Sequence, residues 1–239
     1  RLGKHFTLDA MAGGNQRKSK SNNVVLLGTD FSLPNFYDPS NVVSLTTTNQ
    51  NVRSAVNSVF ASVDLGYRDV LFLTATGRND WFSTLDPREN NIFYPSVGAS
   101  FLLSEAAKLP AWISYAKVRA SWAQVGGGTP AAYVLNQTYS LVPGGGHLGQ
   151  PLQTPTQTVG TTSGLLNAPN ASLKPYTSTT WEAGLEARFL NGRLHADLAV
   201  YNRRTTDDIV QVSISPGSGY NSTFMNVGEM NNRGIELML

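Results

Sequence analysis

Apolar and polar residues alternate with a period of two along runs much longer than the five or six residues of an ordinary strand. This feature limits the possible folds most. From 54 to 67, Val59, Ala61, Val63, Leu65 and Tyr67 share one face, opposite Ser58, Phe60, Ser62, Asp64 and Gly66. Leu71, Leu73 and Ala75 oppose Thr74, Thr76, Arg78 and Asp80, and Val97, Ala99, Phe101 and Leu103 oppose Ser96, Gly98 and Ser100. Ala116, Val118, Ala120 and Trp122 alternate with Lys117, Arg119 and Ser121. Trp181, Ala183, Leu185, Ala187 and Phe189 face away from Glu182, Gly184, Glu186 and Arg188, while Leu194, Ala196, Leu198 and Val200 face away from His195, Asp197, Tyr201 and Arg203. With a weaker first run (Phe6, Leu8, Ala10) and a last one (Ile235, Leu237, Leu239), the pattern predicts about eight strands, near 3–13, 54–67, 71–82, 93–103, 113–125, 177–190, 193–205 and 226–239.

One face of the six central strands carries no charge and the other carries nearly all of it. A soluble sandwich and a membrane barrel both split their faces, so three further features choose between them. About 13 residues at ~3.3 Å each, tilted by ~45°, rise about 30 Å, enough to cross an apolar band of ~25 Å. The connections alternate long (14–53, 83–92, 126–176, 206–225) and short (68–70, 104–111, 191–192), the asymmetry of outer loops and periplasmic turns. Aromatic residues gather near strand ends: Tyr67, Trp81, Phe82, Phe93, Tyr94, Trp112, Tyr115, Trp122, Trp181 and Phe189. Amphipathic rings favour the interfacial girdle. The fold class expected is therefore all-β, an antiparallel transmembrane β-barrel.

Turn chemistry checks the register. Asn191-Gly192 favours a two-residue type I′ turn that pairs Leu190 with Arg193, which brings Phe189 opposite Leu194, Arg188 opposite His195 and Glu186 opposite Asp197, all on matching faces. After Tyr67 a three-residue turn is required, pairing Tyr67 with Leu71, because two residues would set an apolar face against a polar one.

Composition narrows the function. Charged residues are 14% of 239, against roughly 25% in soluble domains, and no run approaches the ~18 apolar residues of a spanning helix. A net charge of +2 gives no case for nucleic acid. The absence of cysteine removes disulfides, thiolate metal sites and Cys nucleophiles. The chain starts at Arg1 without signal peptide or lipid-anchored Cys and stops inside an alternating run, which reads as an interior section of a larger protein. Eight strands cut in this way leave edges that must pair elsewhere in lipid.

The stretches SVFASVDLGYRDVLFLTATGRNDW (58–81), FYPSVGASFLLSE (93–105), WISYAKVRASWAQVGG (112–127), LKPYTSTTWEAGLEARFLNGRLHADLAVYNRRTTDDIV (173–210) and NVGEMNNRGIEL (226–237) resemble the barrel of SusC/RagA-type TonB-linked outer-membrane proteins of the Bacteroidetes. One departure is Tyr176, where the family commonly has Glu after Lys-Pro. The resemblance implies a barrel of about 22 strands with a plugged lumen, residues 1–239 being a section of its C-terminal wall without plug domain or TonB box. It implies a Gram-negative outer membrane, with lipid and lipopolysaccharide around the barrel. It also implies TonB-driven uptake of large nutrients, oligosaccharides or peptides, with a SusD-like surface lipoprotein as partner and TonB acting through an N-terminal part.

On that reading Asp64, Arg78, Asp80, Lys117, Arg119, Glu182, Glu186 and Arg188 face the lumen, either contacting plug and solute or, as the default, pairing with one another. Tyr133, Tyr139, Tyr176, Tyr220 and Phe224 are expected in outer loops, where they stack on solute or pack against loops and partners. No catalytic or metal site is expected, and no cofactor. Glu182 and Glu186 stand about 13 Å apart along a strand, too far for a glycosidic acid-base pair, and His195 with Asp197 lacks a third ligand and reads as a lumen hydrogen-bond pair. Asp207-Asp208 reads as a solvated turn, with calcium binding as its alternative. Gly126-Gly127-Gly128 and Gly144-Gly145-Gly146 lack a phosphate-loop ending and read as flexible rim. The basic run Arg17-Lys18-Ser19-Lys20 reads as exposed outer loop, with lipopolysaccharide as its alternative contact. The alternatives to an importer are a structural SusC-like subunit of a secretion or barrel-folding machine and a soluble β-sandwich adhesin or enzyme domain.

Overall fold

The computed structural model describes residues 5–136, 138–142, 152–156 and 167–239. Its strands are β1 (Phe6–Phe31), β2 (Val42–Tyr67), β3 (Leu71–Phe82), β4 (Asn91–Leu102), β5 (Ile113–Gly127), β6 (Thr138–Val142), β7 (Leu152–Thr156), β8 (Asn167–Ala168), β9 (Tyr176–Phe189), β10 (Leu194–Ser213) and β11 (Ser222–Met238). A nine-stranded sheet runs β1-β2-β3-β4-β5-β9-β10-β11-β8, and β6 pairs with β7 separately. All neighbours in the long sheet are antiparallel except β8, which joins the outer end of β11 in parallel. The sheet is not closed; it is part of a barrel.

Register carries the alternation across the sheet without a slip of face. Leu8, Leu65, Leu73, Ala99, Ala120, Ala183, Val200 and Ile235 form one continuous cross-strand row. Phe6, Tyr67, Leu71, Phe101, Val118, Leu185, Leu198 and Leu237 form another, two residues nearer the short turns. A one-residue slip would have set polar-face residues such as Asp64, Arg119 or Glu182 into these rows. No second sheet covers them among the described residues: Val63 is 43% exposed, Leu73 41%, Val118 41% and Leu185 42%. A soluble sandwich would bury this face, and a large uncovered apolar surface marks an interface with something apolar.

Aromatic pairs bound the rows. Phe6 packs on Tyr67 at 4.8 Å and Trp112 on Phe189 at 5.6 Å near the short turns, while Trp122 meets Trp181 at 6.2 Å near the opposite end. Eight residues separate Phe189 from Trp181, about 26 Å along the strand and about 20 Å of height at the usual tilt. That suits a bilayer core between its girdles.

The β9–β10 turn is wider than the two-residue type I′ turn expected at Asn191-Gly192: Leu190, Asn191 and Gly192 have φ of 52°, 57° and 82°, and Gly192 N–H donates to the Phe189 carbonyl at 3.0 Å while Arg193 N–H reaches the Leu190 carbonyl at 3.4 Å. Arg68 and Asp69, at 53° and 56°, close a similar turn through Val70 N–H to the Tyr67 carbonyl at 3.0 Å. Tyr67 pairs with Leu71, and Phe189 with Leu194.

Several outer segments differ from expectation. Residues 14–53, expected as a connection, continue β1 and β2 into a hairpin of two 26-residue strands that overshoots the apolar band. There both faces meet water, so alternation ends while Thr, Ser, Asn and Val keep pairing. The 206–225 connection contracts to 214–221 because β10 extends to Ser213 and β11 begins at Ser222. The Asp207-Asp208 pair is not a loop turn but a bulge in β10, with Asp207 at φ 60° and the register shifting between Thr205 and Ile209.

Candidate functional site

The charged face builds two clusters. At the outer end, Arg78 Nε donates to Asp80 Oδ1 at 2.7 Å and its Nη2 donates to Ser58 Oγ at 2.9 Å. Asp80 and Ser58 are buried. Tyr94, in register with Arg78, is buried too, and its hydroxyl has no partner among the described residues.

Nearer the short turns, Arg119 makes a two-pronged pair with Asp197, Nη1 to Oδ2 at 3.0 Å and Nη2 to Oδ1 at 2.8 Å. Its Nε lies 3.8 Å from Glu182 Oε1. Register explains the reach: Arg119 stands opposite Gly184, which stands opposite Ala199. A Cβ on Gly184 would lie 2.7 Å from the guanidinium carbon, so the side chain crosses β9 through the space that glycine leaves and meets Asp197 on β10. Glu186 Oε1 accepts from Arg188 Nη2 at 3.3 Å and lies 3.4 Å from His195 Nε2. The Arg188 guanidinium also covers the Tyr115 ring at 5.0 Å. Asp64 accepts from Thr74 Oγ1 at 2.5 Å, and Lys117 faces Glu186 in register without an ion pair.

All eight predicted lumen residues thus lie on one face, and Arg78, Asp80, Arg119, Glu182, Glu186 and Arg188 are engaged with neighbouring charges. Mutual pairing answers the need to satisfy polar groups away from bulk water. Asp197, expected as the lumen hydrogen-bond partner of His195, is instead the carboxylate that Arg119 grips. The signal for this pairing was Gly184, opposite Arg119 on the strand that lies between Arg119 and Asp197. Glu182 and Glu186 enter different contacts, leaving no paired-carboxylate geometry.

Above the charged face the outer end is knotted by buried side chains. Phe82, Leu85 and the fully buried Leu173 form its centre, with Val56, Ile92, Leu135, Ile209 and Phe224 packed around them. Asn170 Nδ2 donates to the Phe224 carbonyl at 2.8 Å, and Asn226 Nδ2 donates to the carbonyls of Lys174 and Asp207, both at 2.7 Å. In the β3–β4 loop a hydrogen bond from the Arg88 side chain, helped by the Arg88 backbone N–H, holds the Asp86 carboxyl below its usual range. The contact therefore survives acidification through the ordinary carboxylate range and is lost only as pH falls through the lowered value.

Three of the five aromatic loop candidates lie on strands. Phe224 lies on β11 and joins the buried knot, because β11 starts earlier than its alternation shows. Tyr176 opens β9 opposite Gly127, its ring lying over Gly127 and Gly128. Tyr133 and Tyr220 are in loops and half-buried, Tyr133 at φ 68°. Tyr139 falls on β6, and its side chain lies outside the described residues.

The first glycine triplet is not flexible rim. Gly126 and Gly127 end β5, and Gly128 has φ 63°. A Cβ on Gly128 would come within 2.5 Å of the Tyr176 ring. Gly128→Ala is expected to destabilise the outer end by about 1–2 kcal/mol through left-handed strain and the clash, read as a shifted urea midpoint for folding into vesicles. The second triplet, Gly144-Gly145-Gly146, lies outside the described residues.

Residues 3–239 match the family model described as TonB dependent receptor-like, beta-barrel. The chain is 26% identical over its whole length to TonB-dependent receptor P26 of Formosa agariphila, covering 24% of that protein. Over 71 residues, 29% of this chain and 7% of the relative, it is 38% identical to TonB-dependent receptor SusC of Bacteroides thetaiotaomicron. The RagAB peptide importer in its closed-closed state shares the fold with a TM-score of 0.83 at 20% identity, over 99% of this chain and 26% of the other. The chain spans about a quarter of the length of P26 and of that importer chain. An uncovered apolar face, a self-paired charged face and a match that runs nearly end to end converge: this chain belongs to the TonB-dependent receptor β-barrel family and forms part of the barrel wall.

Proposed function

We propose that the complete protein imports large nutrients, oligosaccharides or peptides, across the outer membrane of a Gram-negative bacterium. TonB energises the import, a SusD-like lipoprotein caps the barrel, and this section supplies wall and outer rim. The observation that carries the reading is the division of the sheet: charge-free rows outside, and inside a face whose arginines are largely neutralised by adjacent carboxylates. Such a lining offers hydrogen bonds with little net charge, which suits a bulky polar solute or a plug passing over it. The RagAB relative is a peptide importer by its own description, which favours peptides as one class to test.

The β1–β2 hairpin supports the capping partner. Beyond the membrane it exposes Leu27 at 63%, Leu33 at 61% and Tyr37 at 79%, apolar surface that a protein seated on the barrel would bury. Tyr133 and Tyr220 remain the loop aromatics available to solute or partner.

The test is uptake of labelled peptides and oligosaccharides by cells expressing the full-length protein, with and without TonB. Energy-dependent uptake that stops on TonB deletion is expected. Uptake that persists without TonB contradicts the proposal.

A further inference from the structure

Above the apolar band, the outward face of the β1–β2 hairpin changes chemistry in a fixed order. Gly14 opposite Val59 ends the aliphatic pairs; next Gln16 Nε2 donates to Asn57 Oδ1 at 2.7 Å, level with Trp81. Beyond them Lys18 stands opposite Ala55, and Lys20 opposite Arg53. The three cations are exposed, lie on the same face as Val59 and Val63, and line with Ser83 a hollow of about 450 Å³. No carboxylate of the described residues lies within 4 Å of any of them, in contrast to Arg78, Arg119 and Arg188 on the opposite face.

Height gives these cations a partner. Ala55 and Arg53 are four and six residues beyond Val59, about 13–20 Å along the strand and about 10–15 Å of rise at the usual tilt. Long basic side chains reach back from there toward the membrane surface with their charged ends still hydrated. Any strand that pairs along the free edge of β1 uses backbone groups in the plane of the sheet and leaves this outward face open. We infer that Lys18, Lys20 and Arg53 form a docking surface for the phosphate groups of anionic outer-leaflet lipid, lipid A in lipopolysaccharide. The surface depends on the membrane placement of the wall and not on which solute is imported. It anchors the base of the protruding hairpin at the headgroup layer.

The test uses the full-length receptor in detergent micelles doped with lipid A or with the same lipid A stripped of phosphate. Binding is read by native mass spectrometry, and the heat-modifiable shift on a gel reports the folded barrel. Wild type is expected to prefer the phosphorylated lipid, with affinity falling as salt rises. K18Q/K20Q/R53Q is expected to bind it about 100-fold more weakly, roughly fivefold per cation, and K18R/K20R/R53K to bind it like wild type. Should the triple glutamine variant fail to fold, the single Lys20→Gln variant carries the test with its fivefold loss. Equal binding of the two lipids or undiminished binding by the glutamine variants overturns the inference. So does displacement of lipid by millimolar inorganic phosphate, which would assign the cations to a free anion.

Discussion

Arginine in place of Leu185 is expected to cost the wall about 3 kcal/mol, the depth-dependent penalty for a cation near the middle of a lipid-facing strand. Leu185 lies between Val118 and Leu198 in the second of the continuous rows, four residues from Phe189 and four from Trp181. The same substitution at Trp181, at the interface, is expected to cost about 0–1 kcal/mol once lost ring packing is subtracted using Trp181→Gln. Leu185→Ala separates lipid from a packed core. Against fluid hydrocarbon no cavity remains, so the loss stays near the transfer term of about 2 kcal/mol, whereas a rigid packed core adds a cavity cost and loses up to about 5 kcal/mol. Urea titration of folding into vesicles measures all four variants.

Removing the Arg119 side chain is the second large effect. Arg119→Met leaves Asp197 without its two-pronged partner and Glu182 without its neighbouring cation, and a destabilisation of about 2 kcal/mol is expected. That figure stays below the range for fully buried pairs because the Arg119 and Asp197 side chains keep 30% and 23% exposure. Asp197→Asn combined with Arg119→Met is expected to recover about half of the loss, since the orphaned charge disappears with its partner. A double-mutant cycle over the two positions, followed by the same urea titration, isolates the coupling. Filling the crossing point tests the geometry: in Gly184→Val the side chain stands where the guanidinium now lies, 2.7 Å away, and the Arg119–Asp197 coupling should vanish.

How much of the fold is legible in the sequence follows from where water meets the chain. Between the girdles one face touches hydrocarbon and the other does not, so Val63, Leu73, Val118 and Leu185 announce both strand and facing. Turn chemistry at Asn191-Gly192 then fixes Arg188 opposite His195, as found. Above the girdle that contrast disappears, and Gln16, Lys18 and Lys20 read as loop although they continue β1. The early start of β11, which places Phe224 in the buried knot, is hidden for the same reason. Within the charged face, composition shows the charges but not their partners. Arg119 reaches Asp197 across an intervening strand, and β5 meets β9 only after the long 128–175 connection. Gly184 is the one local clue, and a glycine on a polar face equally marks a bulge or a bend in the strand.

Spin labels report directly whether hydrocarbon lies against the charge-free rows, because residues 1–239 contain no cysteine to compete for the label. In the full-length receptor reconstituted in vesicles, with any cysteine outside this section replaced, nitroxides are attached at Leu185→Cys and Val118→Cys on the rows and at Lys117→Cys on the charged face. Collisions with molecular oxygen are expected to exceed those with a water-soluble nickel chelate at 185 and 118, which are paired in one row, and the order is expected to reverse at 117. Immobilised labels at 185 and 118 that neither quencher reaches would place a packed protein layer over these rows and contradict the membrane wall.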